Sequence, residues 1–181
     1  LTGGALLQTG GATYTTPSIS TTTTYYVTRY NTTTLCESAP RTSIVATVNA
    51  VPTATITPSG PTTFCTGGSV ILDAGAHDSY LWSNAATTQT ITVTASGSYT
   101  VTVTDSGCTS APSAATVVTV NPIPTATITP SGPTTFCAGG SVILDAGVHG
   151  SYLWSNAATT QTITVSTAGS YTVTVTDLGC T

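Results

Sequence analysis

The chain has 181 residues, of which 4% are charged, and two basic side chains face six acidic ones for a net charge of −4. Nucleic acid and anionic membranes are recognised through clustered Lys and Arg, and Arg29 and Arg41 are the whole basic complement, so both partner classes are excluded. Threonine fills about a quarter of the positions; it is β-branched, suits a pleated, half-exposed surface and hydrates that surface without charge.

A fixed period organises the chain. PTATITPSGPTTFC runs from Pro52 to Cys65 and again, unchanged, from Pro124 to Cys137, an offset of 72 residues that also relates Trp82 to Trp154, Tyr99 to Tyr171 and Cys108 to Cys180. Self-similarity at one long period is the signature of a repeat array, so these residues read as a window on a string of domains. No apolar run reaches the length of a membrane span. No signal peptide and no methionine occur, so the true N-terminus is expected elsewhere.

Residues 1–49 match the copies only toward their end. LCESAPRTSIVATVN (Leu35 to Asn49) corresponds to GCTSAPSAATVVTVN (Gly107 to Asn121), and Tyr25-Tyr26-Val27-Thr28 corresponds to Tyr99-Thr100-Val101-Thr102, with a slightly longer connection through Asn31-Thr32-Thr33-Thr34. This segment therefore reads as the C-terminal half of a divergent copy, with the partner of Cys36 expected before Leu1. Asn31-Thr32-Thr33 is formally a glycosylation sequon, a match that arises easily by chance in a Thr-rich loop.

Residues 50–121 form the complete copy. Val70, Leu72 and Ala74 alternate with Ile71 and Asp73; Tyr80 and Trp82 flank Leu81. Ile91 and Val93 alternate with threonines, as do Tyr99, Val101 and Val103, and then Val118 and Val120. Period two over several short segments means strands with one buried face, and Pro58-Ser59-Gly60-Pro61, Asp73 to Asp78, Ser83-Asn84 and Asp105-Ser106-Gly107 supply the turns. Nothing of helical period intervenes. Asn49-Ala50-Val51-Pro52 and Asn121-Pro122-Ile123-Pro124 are short proline-bearing joints, stiff rather than flexible. Residues 122–181 repeat the copy until Thr181 without a counterpart of the Thr116–Val120 strand.

The expected fold class is all-β: tandem immunoglobulin-like β-sandwich domains in a linear array. Trp82 stands where the third strand of such a sandwich carries its buried tryptophan. Tyr99 stands at the tyrosine corner, and Val101 where antibody domains place their second cysteine. Trp82, Tyr99 and Val101, with Trp154, Tyr171 and Val173 in the next copy, are the expected core.

Two cysteines per complete copy at fixed places read as a disulfide framework in an oxidising compartment rather than a metal site. Cys65, Cys108, Cys137 and Cys180 are the expected structural cysteines and Cys36 is the one left over. A Cys65–Cys108 bridge would close about 43 residues and stabilise the copy by roughly 4 kcal/mol.

Catalysis needs a nucleophile with a base, or carboxylates paired in a cleft. Asp73, Asp105 and His77 recur as Asp145, Asp177 and His149, and duplication along an array points to a structural role. The aspartates are expected as turn residues accepting backbone hydrogen bonds, and the histidines as exposed loop residues. One or two acids per loop are too few for calcium. The TxT runs invite an ice-binding reading, which twisted sandwiches do not support. No catalytic residue, metal or cofactor is expected.

SGPTTFCAGGSVIL (131–144) and SYLWSNAATTQTITVSTAGSYTVTVTDLGC (151–180) resemble the Ig-like/PKD-like repeats of very large secreted proteins of the Bacteroidetes, and ATYTTPSISTTTTYYVTRYN (Ala12 to Asn31) resembles the related Ig-like module found near their C-terminal sorting domains. The resemblance implies a segment of a cell-surface adhesin such as the SprB-like filament proteins of gliding bacteria, exported by type IX secretion. The same modules also serve as spacers in secreted enzymes, and a fibre subunit completed by strand exchange is a third possibility. The implied partners are neighbouring repeats of the same chain, with surface glycans or other cells met through regions outside these residues. Direct membrane insertion is not expected, and the implied location is extracellular, at the bacterial cell surface.

Overall fold

A computed structural model describes residues 13–31 and 33–181. The chain divides into two compact units, Leu1–Val51 and Pro52–Thr181.

In the first unit β1 (Thr23–Val27) pairs antiparallel with β4 (Thr42–Ala46), and β2 (Tyr30–Asn31) pairs with β3 (Cys36–Glu37). Tyr25 faces Ile44 and Asn31 faces Cys36. None of its described side chains is buried. The sequon Asn31-Thr32-Thr33 falls partly outside the described residues; the Asn31 carboxamide oxygen accepts the amides of Thr33 and Thr34 at 2.9 and 3.1 Å, which spends it on a local turn.

The complete copy in the second unit runs β5 (Thr57–Pro58), β6 (Thr63–Cys65), β7 (Val70–Asp73), β8 (Ser79–Trp82), β9 (Thr90–Val93), β10 (Gly97–Tyr99), β11 (Val101–Asp105), β12 (Cys108–Thr109) and β13 (Thr116–Asn121). One sheet has the order β5-β7-β9. The other is built on one long hairpin: β10 leads into β11, β12 leads into β13, and the gap between their ladders is bridged by Ser110 N–H to Val103 O and Ser113 N–H to Val101 O, both 2.9 Å. β8 flanks this hairpin on the β11 side, and β6 lies parallel to β13 on the other. Two sheets facing each other, with the first strand switching from one to the other, is an immunoglobulin-like sandwich.

Alternation along the strands decides what lies between the sheets. On β7, Val70 and Leu72 are buried while Ile71 is exposed, and on β9, Ile91 and Val93 are buried between exposed threonines. Trp82, Val101, Val103 and Val118 complete the core with Ala54 and Ala74. The Trp82 indole N–H reaches Thr88 O at 2.8 Å, so its one polar atom is satisfied. Tyr99 packs at the edge of the core and its hydroxyl donates to Ala95 O at 3.2 Å, the bond that defines a tyrosine corner.

The third copy shows what β13 contributes. It keeps β14 (Thr129–Pro130), β15 (Val142–Asp145), β16 (Ser151–Trp154), β17 (Thr162–Val165) and β18 (Val173–Thr176). Residues 135–137 and 169–171, the counterparts of β6 and β10, are not strands. Both of those strands pair with β13 in the complete copy, and these residues hold no counterpart of it. Trp154 remains buried, whereas Tyr171 and Val173 are only partly so. Val101, by contrast, is 1% exposed.

Leu72 is fully enclosed and Leu81, one strand away, is 56% exposed. In a Trp154→Phe background, where Trp82 alone reports, Leu72→Ala should lower the unfolding free energy of this copy by about 3 kcal/mol. Leu81→Ala should change it by less than about 0.5 kcal/mol. Urea titration followed by tryptophan fluorescence measures both.

Candidate functional site

The long hairpin gives each copy two poles. Its turn, Ser106-Gly107, has φ of 49° and 80°, the left-handed pair of a two-residue hairpin, and puts Cys108 at one pole beside Asp105. At the other pole Asn121 ends β13 opposite Cys65 on β6. Between them lie about eleven residues of extended chain, on the order of 35 Å.

A cystine needs its Cα atoms within about 7 Å, so the expected Cys65–Cys108 bridge is corrected: the two cysteines sit at opposite ends of one sandwich. The structure joins Cys65 to Cys180 instead, with Cα atoms 5.6 Å apart across a separation of 115 residues. Cys36 and Cys137 take part in no disulfide among the described residues. The parity of the strands carries the reason. From Cys65 the chain crosses the sandwich along β7, β8, the return 86–89, β9 and β10–β11, an odd number of passages, before reaching Cys108. Cys180 stands at the Cys108 pole of the third copy, and that pole meets the Cys65 pole of the second. Closing so long a loop stabilises the folded pair by about 5 kcal/mol in the chain-entropy model.

Backbone and side-chain contacts accompany the cystine at this joint. Leu178-Gly179 repeats the left-handed hairpin turn with φ of 51° and 80°. Asp177 and Cys180 close it through reciprocal amide-to-carbonyl bonds of 2.9 and 2.8 Å. The Asn121 carboxamide donates to Leu178 O at 3.2 Å, from the residue that precedes the Pro122-Ile123-Pro124 linker. On the receiving side the Thr66 amide and hydroxyl both donate to Asn121 O, at 2.8 and 3.1 Å. What marks these three residues in the sequence is position alone: Thr66 follows Cys65, Asn121 heads the proline joint and Leu178 stands two residues before Cys180.

Both histidines depart from the expected exposed-loop role. His77 Nδ1 lies 2.7 Å from Asp105 Oδ2 with its side chain only 16% exposed, and His149 stands the same distance from Asp177 with its side chain 14% exposed. An ionised carboxylate only accepts, so Nδ1 carries the shared hydrogen. The His77 amide donates to the Tyr80 hydroxyl, which donates onward to Gly75 O at 2.9 Å; Tyr152 does the same for His149 and Gly147. These networks brace the 74–78 and 146–150 loops at the hairpin pole. Asp73 and Asp145 each accept a backbone amide two residues on at 2.8 Å and a Gln carboxamide, in the turn role expected of them. In the second copy Asp78 Oδ2 also accepts Ser106 N–H at 2.7 Å, a link Gly150 cannot make. Among the described residues no three His, Cys, Asp or Glu side chains gather as metal ligands.

The histidine hydrogen bond is the main cause holding the Asp105 carboxyl below the ordinary aspartate value of 3.8; the Asp78 amide and the histidine charge add to it, and desolvation opposes. Asp177 is lowered first by His149 and then by the Gly150 amide.

The family described as "Ig-like domain CHU_C associated" matches residues 1–50. No curated protein matches. Solved structures do match, among them the human OSCAR ligand-binding domain, at 14% identity, 70% coverage of this chain, 84% coverage of that one and a TM-score of 0.31. No helix of the described residues is long and apolar enough to cross a membrane, which leaves strand-built membrane proteins unaddressed.

Because the folded-state carboxyls titrate below the unfolded ones, the stability they contribute is whole above pH 3.8 and is lost as pH falls through their lowered folded values. Melting temperatures measured from pH 6 to pH 2 should be flat and then fall. Asp105→Asn with Asp177→Asn should melt lower at pH 6 and show a shallower acid decline than the native chain.

Proposed function

We propose that these residues are a structural segment of an extracellular array, a semi-rigid stalk or filament of a cell-surface adhesin that serves adhesion or gliding. The observation that carries this reading is the tandem of near-identical immunoglobulin-like copies coupled end to end by a cystine and a proline-bearing joint. An array of this kind holds a terminal binding region away from a surface and transmits force. The cystine and the match of residues 1–50 to an Ig-like domain family fit an oxidising location outside the cytoplasm. Its partners are the neighbouring copies of the same chain, and ligands such as surface glycans or other cells belong to regions beyond these residues. Export by type IX secretion rests on the resemblance alone.

Sequencing the parent gene through both flanks tests this reading. Further copies leading to a C-terminal sorting domain are expected, with immunolabelling of intact cells marking surface filaments. A catalytic domain joined directly to these copies would overturn it and make them an enzyme's spacer.

A further inference from the structure

We infer that the cystines of this array run between copies rather than within them, and that each one carries tension past the folded domains it spans. The placement of the cysteines is the first ground. Cys65 and Cys108 occupy opposite poles of one sandwich, so these two cannot join to each other within the copy. The joint is the second. Cys65 at the base of one copy and Cys180 at the hairpin of the next are bonded, and Asn121 to Leu178 O fixes the register beside them. In a longer run of such copies the same offset of 115 residues sets one cystine at every joint.

The force path follows from connectivity. Tension entering the second unit at Pro52 reaches Cys65, crosses the sulfur–sulfur bond and leaves at Cys180. Strands β7 to β18 lie inside the closed loop and stay unloaded while the bond is intact. Threonine-rich sandwiches with small cores would otherwise be the weak links of a load-bearing chain. The bypass leaves them folded and makes the joint the element under load.

Formation of the bond needs an oxidant, which here is a low-molecular-weight or protein disulfide, R–S–S–R, in the compartment to which the chain is exported. One cysteine thiolate attacks R–S–S–R and displaces RS⁻; the second attacks the mixed disulfide and displaces the other RS⁻. One sulfur–sulfur bond forms as one breaks, two electrons pass to the oxidant, and the two thiol protons leave in two RSH.

The test uses the full chain refolded with oxidised glutathione. Peptic digestion at acid pH, where exchange is suppressed, followed by mass spectrometry should find the Cys65 peptide joined to the Cys180 peptide. Cys65 joined to Cys108, or all five cysteines recovered as thiols, overturns the inference. The mechanical half is tested by stretching single molecules held at the two termini. Reduction should release about 400 Å of additional contour length, from the 115-residue separation at about 3.5 Å per residue. A Cys36→Ser, Cys108→Ser, Cys137→Ser triple variant should show the same release, and Cys180→Ser should abolish it. If the triple variant shows no reductant-dependent release, the bypass does not exist. These outcomes concern the joint alone and are separable from what the array does on a cell.

Discussion

The pairing of β13 with both β10 and β6 is the constraint on which a copy depends. Through it the hairpin runs the full length of the sandwich, the first strand finds a second sheet, and Val118 enters the core beside Val101 and Trp82. The third copy makes the dependence visible within one molecule. Its sequence is nearly that of the second, yet without a partner in that place the Phe136 and Tyr171 segments hold no ladder bonds and Val173 loses the enclosure Val101 enjoys. An unpaired edge leaves backbone donors and acceptors to solvent, and the strand propensity of threonine and tyrosine does not replace them.

The same hairpin also separates the chemistry of the two poles. Asn121 and Cys65 gather at one end; the two-residue turn and the histidine–aspartate pair gather at the other. The histidine–aspartate pair and its tyrosine stiffen the loops that frame the turn, and in the third copy that framed turn is the one seated against the second copy. A surface this poor in Lys and Glu has few ion pairs with which to orient neighbouring domains. Arg41 to Glu37 in the first unit is the one Arg–carboxylate pair among the described residues. Orientation at the joint rests on a cystine, one carboxamide and proline instead.

The first unit repeats the hairpin logic with a longer turn. Tyr25 faces Ile44 as Tyr99 faces Thr116, Ser38 N–H bonds Arg29 O at 2.8 Å as Ser110 bonds Val103, and Asn31 faces Cys36 as Asp105 faces Cys108. The connection after Asn31 is longer in sequence, and the pairing on either side of it keeps its register. A turn is where extra residues cost least, because no ladder bond and no core contact has to move.

Much of the copy was legible in its residues. Period-two alternation marked Val70, Leu72, Ile91, Val93, Val101 and Val103 for one face because side chains in a strand alternate whatever the topology. The position of Tyr99 before Val101 marked the corner, and the 72-residue offset exposed the array. These are local or periodic properties, and the sequence by itself determined them. Which cysteine meets which was decided only in three dimensions. Spacing along the chain says how large a loop would be closed, whereas the bond requires two Cα atoms within a few ångströms, and that depends on how many times the chain crosses the sandwich between them. The pairing of His77 with Asp105 is of the same kind: 28 residues apart in sequence, the two are neighbours only because the 74–78 loop and the end of β11 reach the same pole.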